Sequence, residues 1–174
     1  MQTLAGHSVA LRRATSADAS FFRAALATEE VAQWWGNGWP DVEGDLAKSD
    51  HQTLAIVADG SAVGMIQWWE DETPITHQAG IDMFLHPDYH RRGYGSDALL
   101  TLVRWLLGPG GHHRVMIDPA TDNLPAIACY EKIGFRRVGV FREFWKDRDG
   151  VWRDSLLLDL LAKDIIDPKG SPAQ

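Results

Sequence analysis

Apolar and polar residues alternate over residues 8–14, SVALRRA, and again over 52–58 and 61–69, with Asp59-Gly60 between the last two. A period of two marks strands, and Asp-Gly marks a tight hairpin joining them. Residues 79–85, AGIDMFL, form an apolar run that Pro87 ends, the pattern of a buried strand. From Gly95 to Leu107 the period changes: Leu99, Leu102, Val103 and Leu106 fall on one helical face, and GPGG stops the helix. Ser16 or Asp18 is positioned to cap a helix through FFRAALA, a short helix spans Glu29 to Trp35, and another lies between Asp41 and Ser49. Residues 113–117 read as a strand. Asp122 or Asn123 caps a helix with Pro125 in its first turn and Gly134 at its end. Residues 135–141 and 151–161 close the series as strands. The order predicts a mixed α/β layer protein with a largely antiparallel sheet.

The 174 residues suit one compact domain, expected over 1–166, with a frayed tail over 167–174. No apolar run has membrane-spanning length, and no leader pattern precedes the first strand. Cys129 is the single cysteine, so neither an internal disulfide nor a cysteine metal cluster is expected. These features predict a cytoplasmic protein that does not engage a membrane. The net charge of -7 argues against nucleic acid as a partner. The charge is uneven: residues 1–90 hold 4 basic and 13 acidic side chains, residues 91–174 hold 13 and 11. That division is ordinary solvated surface, or else an acidic half that attracts cations beside a half that holds an anion.

Two motifs favour the second reading. The first runs from His90 to Ser96, HRRGYGS, and opens the amphipathic helix. Gly93 and Gly95 let backbone N–H groups converge, and the helix start adds partial positive charge. Such a turn seats a diphosphate, with Arg91 and Arg92 nearby. Neither a GxGxxG fingerprint nor a P-loop Lys-Ser/Thr is present. The second motif begins 28 residues after Gly95: NLPAIACYEKIGF, from Asn123 to Phe135. Together these resemble the GNAT acetyltransferase superfamily, whose motifs are Arg/Gln-x-x-Gly-x-Gly/Ala and Asn-x-x-Ala-x-x-x-Tyr-x-Lys-x-Gly-Phe. His90 departs from the family's Arg or Gln.

The resemblance implies a GNAT-like fold, with a mixed, mostly antiparallel sheet of six to seven strands flanked by about four helices. It implies acetyl-CoA as co-substrate and no metal. Backbone groups near Phe84 and Leu85 would bond the pantetheine arm. The amides from Arg91 through Arg92, Gly93, Tyr94 and Gly95 to Ser96 would hold the diphosphate, Asn123 would touch the arm, and Tyr130 would sit by the sulfur. An ammonium must lose a proton before attacking a thioester, and a carboxylate can take it. A main-chain N–H can steady the oxyanion, and Tyr130 can protonate the thiolate. Cys129 reads as a small buried apolar residue, and His112 and His113 as surface residues without a role.

Within the superfamily the chain looks most like aminoglycoside 6'-N-acetyltransferases. That rests on Val31 to Gly36, Trp68 to Thr73, Gly80-Ile81-Asp82 and Ile117-Asp118-Pro119. The resemblance implies a small cationic amine as partner, Asp82 as candidate base, and Asp118 at the amino sugar. Trp34, Trp35, Trp69, Glu70 and Glu72 are further acceptor-site candidates, although tryptophans also fill cores and Glu70 to Glu72 also read as a solvated loop. Acceptors that are protein N-terminal amines or small metabolites, and a non-catalytic acyl-CoA-binding module, remain alternatives. A monomer or a homodimer is expected.

Overall fold

The computed structural model describes residues 2–36, 39–48, 52–71, 73–168 and 170. Glu72 lies outside them, as does Ser49 at the end of the expected third helix. Eight strands form one sheet in the order β1-β2-β3-β4-β5-β6-β8-β7. They are β1 (Leu4–Ala5), β2 (Ala10–Arg13), β3 (Thr53–Ala58), β4 (Ser61–Asp71), β5 (Gln78–Leu85), β6 (Arg114–Ile117), β7 (Arg136–Lys146) and β8 (Trp152–Leu160). The helices are α1 (Ala19–Leu26), α2 (Glu29–Trp35), α3 (Val42–Ala47), α4 (Tyr94–Leu107) and α5 (Leu124–Ile133). The strand absent from the sequence reading is β1, two residues too short to show alternation. β7 runs past Phe141 to Lys146 because two irregularities break its register with β8, at Arg137/Gly139 and Phe141/Trp145, and hide its period.

Alternation sorts the sheet into two packed faces. Ile66, Ile81, Val115, Ile117 and Leu158 meet Leu99, Leu102, Val103 and Leu106 of α4 and Ile127 and Ile133 of α5. Met65 and Phe84 on the other face meet Phe22 and Ala25 of α1, Val31 of α2 and Leu46 of α3. Asp18 does not cap α1 through its carboxylate. Instead it accepts both guanidinium nitrogens of Arg12 at 2.8 and 2.7 Å and the Thr15 amide at 2.8 Å. Asp97, in the first turn of α4, accepts the amides of His7, Ser8 and Val9 and so pins the N-terminal segment across that helix.

The strand pair that positions the site is β5–β6, the parallel pair of the sheet. It is short, matching Gln78 to Arg114, Ala79 to Val115 and Gly80 to Met116. From Ile81 onward β5 has no strand partner on that side among the described residues, and the sheet opens there into a wedge. At Gly80, just before the opening, the Trp69 indole lies across the strand. A Cβ there would fall 2.1 Å from the ring. Gly80→Ala should therefore destabilise the fold by about 1–3 kcal/mol, measured by thermal unfolding, because the added methyl must displace the Trp69 ring from its contact with the strand.

His112 is buried, which corrects the expected surface position. Its Nε2 lies 2.9 Å from Glu70 and its Nδ1 3.3 Å from the Leu106 carbonyl, and its ring stacks on His77 at 4.8 Å. The pairing spans 42 residues of sequence, so nothing local announces it.

Candidate active site

Two cavities fill the wedge and meet inside it. One is a groove of about 600 Å³ along the unpaired edge of β5 and the start of α4. The other is a cleft of about 690 Å³ on the far side, beneath the β7–β8 hairpin. Trp34, Trp35, Met83, Asn123 and Tyr130 line both. A molecule in the groove and a molecule in the cleft would thus face each other across Tyr130.

In the groove, Gly93 is left-handed at φ 81° and Arg91 at φ 60°. These two reversals fold residues 91–93 so that the chain enters α4 sharply. Helix geometry leaves the amides of Tyr94, Gly95 and Ser96 without intrahelical acceptors. Beside them nothing approaches Gly93, while a Cβ on Gly95 would come 3.3 Å from Leu85. The turn is tied to β5 by His90, whose Nε2 lies 3.0 Å from the Leu85 carbonyl. Arg91, Tyr94, Phe84 and Leu85 also line the groove. Arg92 stacks over Tyr89 at 5.5 Å and is not among the lining residues. Cys129 lines the groove too, its sulfur 3.1 Å from the Ser96 hydroxyl, and burial raises its thiol pKa, consistent with an inert packing residue. This chemistry suits a carrier with a diphosphate and a thin amide-bearing arm, and the residues present fit acetyl-CoA.

α5 delivers the shared residues. Asn123 caps it, its Oδ1 accepting the Ala126 amide at 3.3 Å, so the side chain is held at the junction. Tyr130 lies two turns on, on the buried face, and burial is the largest influence raising its phenol pKa, with Cys129 and the carboxylates of Asp82 and Asp118 adding to it. The phenol therefore stays protonated at any physiological pH.

In the cleft, Asp82 from β5 accepts the Gln67 amide at 3.3 Å. Asp118 follows β6, in a loop clamped to β8 by the Leu156 amide on the Pro119 carbonyl and the Thr121 amide on the Asp154 carbonyl. Among the described residues, neither carboxylate has a cationic partner. Burial raises the pKa of both, and Asp118 is pushed up to about 6, with the charge on Asp82 as the second cause. Asp82 and Asp118, with no ion-pair partner of their own, share the cleft with Trp34, Trp35 and Trp145 and, on the hairpin side, with Lys146 and Arg148; a small cationic guest would complement the two acids.

Trp34, Trp35, Asp82 and Asp118 thus come together. Trp69 stands on the same sheet face as Gln67 and Asp82, half exposed and outside the cleft lining. Glu70 points to the opposite face, where it accepts from Gln52 and meets His112. The sequence reading missed Gln67 and the residues of the β7–β8 hairpin. A glutamine inside an apolar strand is a usable signal for the former. The hairpin reaches the cleft only through tertiary structure.

Residues 12–135 match the profile of the acetyltransferase (GNAT) family. The chain belongs to that family. Its members are acyl-CoA-dependent N-acyltransferases, and this GNAT chain is an enzyme of that class. It is 29% identical over 160 residues to the aminoglycoside N(6')-acetyltransferase type 1 of Klebsiella pneumoniae, covering 79% of this chain and 78% of that one. It is 33% identical over 94 residues to the N-alpha-acetyltransferase RimI of Mycobacterium tuberculosis, covering 54% and 52%. The structure of Mycobacterium smegmatis RimJ in complex with CoA-disulfide superposes with a TM-score of 0.80 at 23% identity, over 93% of this chain and 88% of that one. That likeness shows the shared GNAT fold. Among the described residues no helix is long and apolar enough to cross a membrane.

The raised Asp118 pKa has a consequence for stability. The native state holds that proton more tightly than the unfolded chain, so ionising Asp118 costs native stability as pH rises from about 4 to about 6. Asp118→Asn should melt higher than wild type at about pH 8, and the gap should shrink toward about pH 4. A gap that is the same at both ends would contradict the buried-carboxylate account.

Proposed function

We propose that this GNAT enzyme moves the acetyl group of acetyl-CoA to the 6'-amine of an aminoglycoside. The observation that carries the reading is the meeting of the two cavities at Tyr130, with an amide-rich turn on one side and Asp82 and Asp118 on the other. The relative from Klebsiella, aligned over most of both chains, supports the choice of acceptor.

The amides of residues 93–96 would hold the diphosphate, and the open edge of β5 at Phe84 and Leu85 would align the arm. Bound acetyl-CoA supplies the thioester carbon that the amine attacks. Asp118 orients the ammonium, and Asp82 removes one proton to free the nitrogen lone pair. A carboxylate with a raised pKa is better matched to that work than an ordinary one. As the new C–N bond forms and the C–S bond breaks, Tyr130 gives its proton to the departing thiolate. The adduct loses its second N–H proton to water, a proton from water restores the Tyr130 phenol, and Asp82 returns its own to solvent, so the products are an acetamide, free CoA and one released proton.

Turnover with acetyl-CoA, a thiol reagent and a panel of amines tests the acceptor. Kanamycin-type sugars should be acetylated at the 6' position with kcat/KM at least tenfold above that for peptides with free N-termini, in line with recognition by a carboxylate pair. Turnover confined to peptides would reject the amino-sugar reading while leaving the acyl transfer intact.

A further inference from the structure

The tip of the β7–β8 hairpin forms a strap over the cleft. Phe144, Trp145, Lys146, Asp147, Arg148 and Gly150 all line it. The strap is held to α2 by an ion pair and lies close against the residue that follows that helix. Arg148 makes a double ion pair with Glu29, with Nη1 2.7 Å from Oε2, and the Lys146 carbonyl lies so near Gly36 that a Cβ there would fall 2.8 Å from it. Both members of the ion pair are exposed, so the fastening is loose. At its base β7 carries a bulge: Glu143 sits at φ 50° and its amide donates to the side-chain carboxylate of Asp154 on β8 at 2.8 Å. Bulges of this kind aim side chains near sites.

Just after the bulge stands Trp145. Its indole N–H is shielded from solvent and has no hydrogen-bond partner among the described residues. Among the described residues one other buried side-chain N–H shares that condition, Arg114 Nε, and it lies 3.0 Å from the Asp159 carboxylate in an ion pair. Trp145 has no such compensation. A buried donor left unpaired is costly, and a fold keeps it where something else completes it.

We infer that Trp145 is a specificity-determining residue of the acceptor cleft, whose indole N–H donates to an oxygen of the acceptor once the strap reseats around it. The inference rests on the proposed acceptor reading and deepens it. The cleft would then recognise an amine by two features, its cation through Asp82 and Asp118 and a neighbouring ether or hydroxyl oxygen through Trp145. An amino sugar offers both, and an aliphatic amine offers one.

Two small acceptors isolate the oxygen: 2-(aminomethyl)tetrahydropyran, whose amine lies near a ring ether, and cyclohexylmethylamine, its carbocyclic counterpart. Wild type should favour the oxygenated amine by about tenfold in kcat/KM, the effect of one buried hydrogen bond. Trp145→Phe, which keeps the ring and removes the N–H, should bring the ratio to within about twofold by raising the KM of the oxygenated amine alone. The KM for acetyl-CoA should not change. The melting temperature should not fall, because an unpaired donor has been removed. A variant that keeps the wild-type preference, or that slows both amines equally, would overturn the inference while leaving the acceptor reading standing. If wild type acetylates neither these amines nor any amino sugar, the acceptor reading fails and this inference falls with it.

Discussion

Asp82→Asn should reduce kcat for amine acetylation by about 10²–10³-fold at neutral pH, the usual span for removing a positioned general base. The side chain keeps its shape and its contact with Gln67, so lost activity cannot be assigned to a lost fold. Stability should move the other way. In the wild type Asp82 is a largely buried carboxylate whose neighbours are an amide and a second acid, and burial raises its pKa. An uncharged amide removes that cost and relieves Asp118, so the variant should melt higher. Opposite movements of rate and melting temperature would mark Asp82 as a group kept for chemistry at the expense of stability. A variant that is slower and also less stable would point to a packing role. Acetyl-CoA affinity should be unchanged, since Asp82 lines the cleft and not the groove.

Tyr130→Phe should lower kcat by about 10²-fold with acetyl-CoA affinity held within about twofold. The phenol is buried where both cavities meet, and its raised pKa keeps its proton available to a departing thiolate. The leaving group gives a sharper readout than the rate alone. If Tyr130 protonates sulfur, a thioester with a more acidic thiol should need that proton less, and the variant's deficit should shrink as leaving-group pKa falls. A deficit of constant size across such thioesters would leave Tyr130 a wall of the site and not its acid.

Much of the site was legible because its cofactor side is local. The turn from Arg91 to Ser96 and the helix it opens are contiguous, and glycine at 93 permits the left-handed turn found there. α5 likewise carries its cap, its phenol and its terminating glycine within thirteen residues, Asn123 to Phe135. The acceptor side is assembled from β5, the loop after β6, α2 and the β7–β8 strap, and the sequence revealed it only in part. Asp82 stood out as a charge in a buried strand. Trp145 did not, because an unpaired indole N–H is a property of the folded chain. Glu70 was misleading for a related reason: strand alternation turns it away from Trp69, and its partner His112 comes from the far end of α4. Arg92 shows the same limit at shorter range, since its guanidinium stacks on Tyr89 and does not line the groove.

A crystal structure with acetyl-CoA bound tests the central claim most directly. The account predicts the diphosphate against the amides of residues 93–96, the arm along the open edge of β5, and the thioester sulfur within hydrogen-bonding reach of the Tyr130 hydroxyl, about 3–3.5 Å. A diphosphate seated elsewhere, or a sulfur that cannot reach Tyr130 while the acetyl group faces away from Asp82, would contradict it.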